Sequence, residues 1–190
     1  MENLFVHEGK KGVILKTSLE LFAAKGYNAV SVRDIAKAAG VSEAALYKHF
    51  KGKEDMALYI FSAIISEYTR QLAQVDARDD KSVNKLCKIV EVTYDLYRKY
   101  PNEIQFALLS QYFLWDMVPE EIKPHFIIRK IIDEGMKRGD IPIQDVYLWI
   151  TIYTGIMLQP LAQYPYFHDV LPEFDILKAK IISSVRKLFS

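Results

Sequence analysis

Cysteine is almost missing from this 190-residue chain, with Cys87 the single one. No intrachain disulfide can form, and no cysteine cluster offers a zinc or iron–sulfur site. Proline is missing from the first hundred residues, and all seven lie from Pro101 onward. No apolar run reaches ~18 residues, so no membrane-spanning helix is expected. Met1–Glu8 lacks the apolar stretch of a secretory leader. These absences together predict a cytoplasmic location. Strong charge excess is missing too: hydrophobic residues make up 51%, charged residues 26%, and the formal net charge is +1. Such values exclude a disordered chain. The length suits one domain or two small ones, burying about 70% of the unfolded surface.

The near-zero net charge conceals an asymmetry. Between Lys10 and Lys53 stand nine cations (Lys10, Lys11, Lys16, Lys25, Arg33, Lys37, Lys48, Lys51, Lys53) and three acids (Glu20, Asp34, Glu43). The rest of the chain carries 16 cations and 21 acids. A basic first quarter on an acidic remainder fits contact with a polyanion, or a solvated face with a chance excess.

Helical periodicity runs almost throughout, and the expected fold class is all-α. Val13, Leu15, Leu19, Leu21 and Phe22 mark the apolar face of a first helix that Gly26 ends. Ser31 with Asp34 reads as a capping box opening a second helix, which Gly40 stops. Ser42 is the next cap candidate, before Leu46, Tyr47 and Phe50. A long helix starts near Lys53, carrying Met56, Ile60, Phe61, Ile64, Ile65, Tyr68 and Leu72. Further helices are expected over 82–100, from Pro101 to about Leu114, from Pro119 to Gly139, over 143–163, and from Pro172 to the C-terminus.

Ser31 to Lys53, SVRDIAKAAGVSEAALYKHFKGK, is the most informative segment. A short helix, a glycine turn and a second short helix form a helix-turn-helix pattern. Ala36 and Ala39 allow a close crossing, Gly40 supplies a positive φ, and Val41 and Leu46 lock the pair. The outward side carries Ser42, Glu43, Ala44, Ala45 and Lys48, flanked by Tyr47 and His49. Small residues there admit a close DNA backbone, and polar ones reach base edges.

At these residues the chain resembles the TetR family of transcriptional regulators. The motif F-x-x-x-G-Y appears as Phe22 to Tyr27, although Glu20 departs from the acid-free helix of that pattern. Ser31 to Ser42 and then Leu46-Tyr47-Lys48-His49-Phe50-Lys51-Gly52-Lys53 complete the match, over about residues 12 to 58. The resemblance implies that Tyr47, His49 and Lys53 contact phosphates, that Ser31 and Arg33 meet phosphate or a base edge, and that Ser42, Glu43, Ala44, Ala45 and Lys48 form the recognition surface. Ser31 is equally readable as a helix cap alone, and Glu43 as a group accepting from cytosine or merely repelling phosphate.

The implied organisation is a three-helix DNA-binding domain over residues 1–53 and a helical ligand-binding and dimerisation domain over 54–190. Of 24 aromatic residues, 18 lie from Phe61 onward. Aromatic walls line many small-molecule sites, and they equally make ordinary cores. The lining candidates are Phe61, Ile65, Tyr68, Tyr94, Phe106, Phe113, Phe126, Trp149 and Tyr153, for a hydrophobic or aromatic effector. A cation held by these rings and Glu103 or Asp116 is a variant of that expectation. Trp149, Ile152, Tyr153, Ile156, Met157 and Pro160, followed by Ile176, Leu177, Ile181, Ile182, Val185 and Leu188, mark two apolar helices. The resemblance makes them a four-helix homodimer interface.

The expected function is a ligand-responsive repressor binding a palindromic double-stranded DNA operator as a dimer. The alternatives are a ligand-requiring repressor or activator, and a helical small-molecule binder without physiological DNA binding. No catalytic residues are expected, because no nucleophile–base or paired-carboxylate arrangement stands out. No metal site or cofactor is expected, since His7, His125 and His168 match no ligand spacing.

Overall fold

The computed structural model describes residues 9–190, and the sequence readings on Met1–Glu8 and His7 lie outside them. The described residues form α-helices joined by turns, with no strand among them. The helices are α1 (Lys10–Lys25), α2 (Val32–Ala38), α3 (Glu43–Tyr47), α4 (Lys53–Asp76), α5 (Ser82–Lys99), α6 (Pro101–Leu114), α7 (His125–Arg138), α8 (Val146–Phe167) and α9 (Phe174–Phe189). Two 3-10 turns, Trp115–Met117 and Glu120–Ile122, separate α6 from α7.

The chain packs as two compact units. Of the described residues, 9–67 and 100–122 form the first, and 68–99 and 123–190 the second. This grouping differs from the sequence division at residue 53/54. α4 stays with the first unit through Glu67, and α6 joins it.

In the first unit α1 lies along α6, with Phe22 stacked on Phe106 at 5.6 Å between ring centroids. The core gathers Ile14, Leu15, Leu19 and Phe22 of α1, Ile35 and Ala36 of α2, Leu46 of α3, and Met56, Ile60, Phe61, Ile64 and Ile65 of α4. Phe106, Ala107 and Leu114 of α6 complete it. Val13, expected inside, is exposed, and Ile14 takes the buried position. The apolar pair at 14 and 15 together with 18, 19 and 22 follows the helical period better than a face begun at 13.

In the second unit α5 packs against α9, α7 and α8. The helices approach closely at Gly135, where an added Cβ would meet the Ser82 Cβ and the Ile141 Cδ1 at 2.7 Å each. The end of α4 is fastened here. Lys85 Nζ donates to the Asp76 carbonyl oxygen at 2.6 Å, and Lys130 Nζ to Asp76 Oδ2 at 2.7 Å.

Three boundaries differ from the sequence reading. α7 begins at His125 rather than at Pro119. Pro124 has no N–H and disfavours helical geometry at Lys123, so the helix cannot run through it. α8 begins at Val146 because Asp145 Oδ1 accepts from the N–H groups of Tyr147 and Leu148, both at 2.9 Å. It then continues past Pro160 and Pro165 to Phe167. α9 begins at Phe174, two residues after Pro172.

Candidate nucleic-acid interface and effector region

Short helices need help at their ends, because a few residues cannot repay the cost of helix nucleation. α2 has seven residues and α3 five. Both receive that help. Ser31 Oγ accepts from the Asp34 N–H at 3.1 Å, while Asp34 Oδ2 accepts from the Ser31 N–H at 2.9 Å. This reciprocal pair is the expected capping box. The Ser31 hydroxyl also donates to Asp34, at 2.6 Å. These bonds to Ser31 hold the Asp34 carboxyl below the usual aspartate range. Ser42 caps α3 by accepting from the Ala45 N–H at 3.1 Å.

The turn between them closes on the α2 carbonyls. Gly40, at φ +66°, donates to Lys37 at 3.3 Å, and Val41 donates to Ala36 at 3.0 Å. These two bonds around a left-handed residue make a Schellman end, and glycine adopts that φ without steric cost.

With Leu46 buried and Val41 packed against the core, α3 turns the rest of its surface outward. Ser42, Glu43, Ala44, Tyr47, Lys48 and His49 are exposed, and Ala45 is half-buried. Tyr47 is 53% exposed. Arg33, on α2, and Lys51, just before α4, are exposed as well. The structure thus exposes eight of the ten expected DNA-contact residues on one small module, with Ala45 half-buried beside them. Ser31 among them is committed to its cap.

Lys53 is the tenth and is placed differently. It is half-buried, its Nζ donates to the Tyr27 carbonyl oxygen at 2.9 Å, and it stands 4.2 Å from the Tyr27 ring centroid. Sequence reasoning missed Tyr27 as a partner, although the F-x-x-x-G-Y motif already singled the residue out. It missed Lys11 too, whose Nζ lies 4.7 Å from the Tyr59 ring centroid.

The nine expected effector residues are divided between the two units. Phe61, Ile65 and Phe106 belong to the core of the first unit. Phe113 is in that unit as well, 42% exposed and 4.7 Å from Tyr27 between ring centroids. In the second unit Phe126 is exposed, and Trp149 packs on Phe189 with its indole N–H donated to the Pro142 carbonyl oxygen at 2.9 Å. Tyr68, Tyr94 and Tyr153 are buried in one polar cluster. The hydroxyls of Tyr68 and Thr93 lie 2.7 Å apart, and the Thr93 hydroxyl lies 3.5 Å from the Met157 sulfur. Tyr94 donates to the Met157 carbonyl oxygen at 3.3 Å, and Tyr153 to that of Leu86 at 2.8 Å. Burial pushes Tyr68 up to about 12, opposed by its bond with Thr93, and raises Tyr94 and Tyr153 as well. Glu103 and Asp116 belong to the first unit.

The expected dimer stripes divide in the same way. Trp149, Tyr153 and Met157 of α8 and Leu177 and Val185 of α9 are buried within the subunit. Ile152, Ile156, Pro160, Ile181 and Ile182 are half-buried, while Ile176 and Leu188 are exposed. α8 carries no charged side chain in its 22 residues, yet Leu148 on it is 46% exposed.

Among the described residues, no group of three or more His, Cys, Asp or Glu could hold a metal ion. No helix among them is long and apolar enough to cross a membrane.

A capped helix-turn-helix presenting a polar helix, on a segment with nine cations against three acids between Lys10 and Lys53, defines a DNA-binding regulator by class. Comparison with known proteins makes the class specific. The family model "Bacterial regulatory proteins, tetR family" matches residues 14–60. The repressor KstR2 of Mycobacterium tuberculosis is 43% identical over 161 residues, covering 79% of this chain and 80% of that protein. Superposed over 98% of this chain and 97% of the KstR2 structure, the two share 17% identity at a TM-score of 0.74, so that likeness speaks to the fold alone. The transcriptional regulator YerO of Bacillus subtilis is 31% identical over 123 residues, 62% of this chain but only 40% of YerO's own length. FadR of Bacillus subtilis, solved in complex with stearoyl-CoA, superposes at a TM-score of 0.78 over 94% of this chain and 98% of that one, with 21% identity. The chain belongs to the TetR family of transcriptional regulators.

Proposed function

We propose that the chain is a homodimeric, effector-responsive transcriptional repressor that binds a palindromic operator in double-stranded DNA. The observation that carries this reading is the capped pair α2 and α3, with its outward surface left polar and cationic. Ser42, Glu43, Ala44, Ala45 and Lys48 face the major groove, where Lys48 and Glu43 read base edges. Tyr47, His49 and Arg33 hold phosphates, and Ser31 sets the start of α2. Two such modules in a dimer would read half-sites about one helical turn apart. The uncharged α8 and the exposed Ile176 and Leu188 of α9 support a partner subunit at that surface.

The effector is a small hydrophobic or aromatic molecule. Support comes from the second unit, where Tyr68, Tyr94, Tyr153 and Thr93 place hydroxyls inside apolar surroundings, the chemistry that orients an apolar ligand. The stearoyl-CoA bound to FadR is a long apolar chain on a polar head, so acyl-CoA esters belong in the first effector panel. α4 is continuous through residues of both units and carries the response, effector binding shifting an equilibrium between two α4 positions. The functional division is DNA binding over 1–53 and effector binding and dimerisation over 54–190. Regulation in this form requires no turnover, metal or cofactor.

The test is selection of duplexes from a random pool by the purified protein, followed by binding across a salt series. An inverted repeat should emerge, with two protomers bound by sedimentation and a steep fall of log affinity with log salt. Enrichment of no sequence, or of one half-site bound by a monomer, would overturn the reading.

A further inference from the structure

Tyr27 and Lys53 stand at the two ends of the helix-turn-helix. Tyr27 lies in the turn after α1, four residues before the Ser31 cap, and Lys53 is the first residue of α4. Everything that the DNA reading uses lies between them. Their contact has two parts that do different things. The ammonium donates to the Tyr27 carbonyl oxygen, which also accepts from the Val30 N–H at 3.4 Å. That fixes the backbone of the turn leading into α2. The same ammonium lies over the Tyr27 ring, an attraction of the cation for the negative ring face.

The ring is itself anchored. Its centroid is 5.5 Å from that of Phe22 at the end of α1 and 4.7 Å from that of Phe113 on α6. Burial, with the nearby Glu54 charge second, raises the Tyr27 hydroxyl above its usual range, as a ring sunk among neighbours requires. Lys53 is therefore tied to a half-buried ring that packs against the core of the first unit.

We infer that Lys53 is a positioning residue. It closes the base of the helix-turn-helix by clamping Tyr27, and serves DNA binding by holding α2 and α3 at a fixed angle to α4. The inference rests on the DNA-binding reading above, but replaces the phosphate contact that the family resemblance assigns to Lys53. The two roles have different signatures in salt. A phosphate contact releases counterions, so its loss flattens the slope of log affinity against log salt by about 0.9 per subunit. A clamp releases none. Its loss lowers affinity equally at every salt concentration.

The experiment measures the affinity of the full chain for the duplex it selects from a random pool, over a salt series. The variants are Lys53→Met, Tyr27→Leu, the pair together, and Lys53→Arg. Lys53→Met keeps the aliphatic stem at a half-buried site, so the fold survives, and circular dichroism at the working temperature checks each variant. A clamp predicts about tenfold weaker binding for Lys53→Met with an unchanged slope. Tyr27→Leu removes no charge and keeps the carbonyl that accepts from Lys53, so it should give a smaller loss at an unchanged slope, and the pair should lose little more than Lys53→Met alone. Lys53→Arg, which keeps a cation over the ring, should restore most of the affinity. A slope reduced by about 0.9 per subunit in Lys53→Met, with Tyr27→Leu near wild type, would overturn the inference in favour of the phosphate contact. Wild-type affinity in a folded Lys53→Met would overturn it as well. Failure of the wild-type chain to select any duplex is a different outcome, which refutes the DNA-binding reading beneath it.

Discussion

Ser42→Ala tests the local physics of the recognition helix. α3 has only five residues, and its first turn is satisfied by the bond from the Ala45 N–H to Ser42 Oγ at 3.1 Å. Replacing a serine cap by alanine costs about 1 kcal/mol. For a chain of this size that lowers Tm by about 2–4 °C. The effect on DNA follows from a separate argument. Loss of the cap weakens binding only as far as α3 frays in the free protein, because bound α3 must be formed. About 1 kcal/mol corresponds to about fivefold, so the ceiling is about fivefold per recognition helix. The neutral serine releases no counterion, so the salt slope stays as it was.

Calorimetry and operator binding, measured side by side, check both parts. Ser42→Asp sharpens the comparison, because aspartate caps as well as serine and adds favourable charge at the helix start. That variant should hold or raise Tm while losing affinity, its carboxylate facing phosphate. An unchanged Tm in Ser42→Ala would refute the role of the cap. Wild-type operator affinity in Ser42→Asp would refute the placement of α3 against DNA.

Three further outcomes follow from the second unit. Gly135→Ala gains about 1 kcal/mol of helix propensity but forces a methyl group to 2.7 Å from both the Ser82 Cβ and Ile141. Overpacking costs about 1–3 kcal/mol, so urea denaturation should show a net loss of stability, and a gain would refute the crowding argument. Gly155 of α8 has open space where its Cβ would stand. Gly155→Trp should therefore fold as a subunit but sediment as a monomer, whereas an intact dimer would place the interface elsewhere. The buried tyrosines set an alkaline limit. Tyr68 is raised from 10.0 to about 12 in the folded state, so the stability it contributes is fully present below pH 10 and is lost as pH rises from 10 toward 12. Ultraviolet titration should show Tyr68, Tyr94 and Tyr153 ionising only together with unfolding, and their early ionisation would contradict the buried cluster.

The first unit was legible residue by residue where local rules act. Ser31 with Asp34, Ser42 and Gly40 sit in the caps and turn that their side chains predict, because each effect spans four residues or fewer. The long-range part was not legible. α6 is apolar around much of its circumference, with Phe106 and Leu114 buried while Leu109 and Tyr112 are exposed, so its period names no single face and no partner. The packing of Phe106 on Phe22, with Ala107 and Leu114 in the same core, is what assigns it to the first unit. The division of the aromatic candidates between the two units was not legible for a related reason. Phe61 and Tyr94 are both fully buried aromatics, one in each unit. Burial and ring chemistry recur in any core, and spacing along the chain does not say which interior a ring enters.

The division of the chain by packing also bears on how the module works. Two helices of seven and five residues have too few internal hydrogen bonds to hold an orientation by themselves. Their caps fix where each begins, yet a cap cannot aim a helix. Aim comes from what the ends are tied to. One end of the helix-turn-helix is tied to α1, whose Phe22 is stacked on α6, and the other runs directly into α4. Enlisting α4 and α6 gives a small surface the rigidity of a core assembled from five helices. It also means that a substitution deep in that core, such as Phe106→Ala, should act on DNA affinity as well as stability. A core truncation of that kind costs about 3–5 kcal/mol, and part of it should appear as weaker operator binding with an unchanged salt slope. Affinity at the wild-type level in a folded Phe106→Ala would show that α2 and α3 hold their aim without α6.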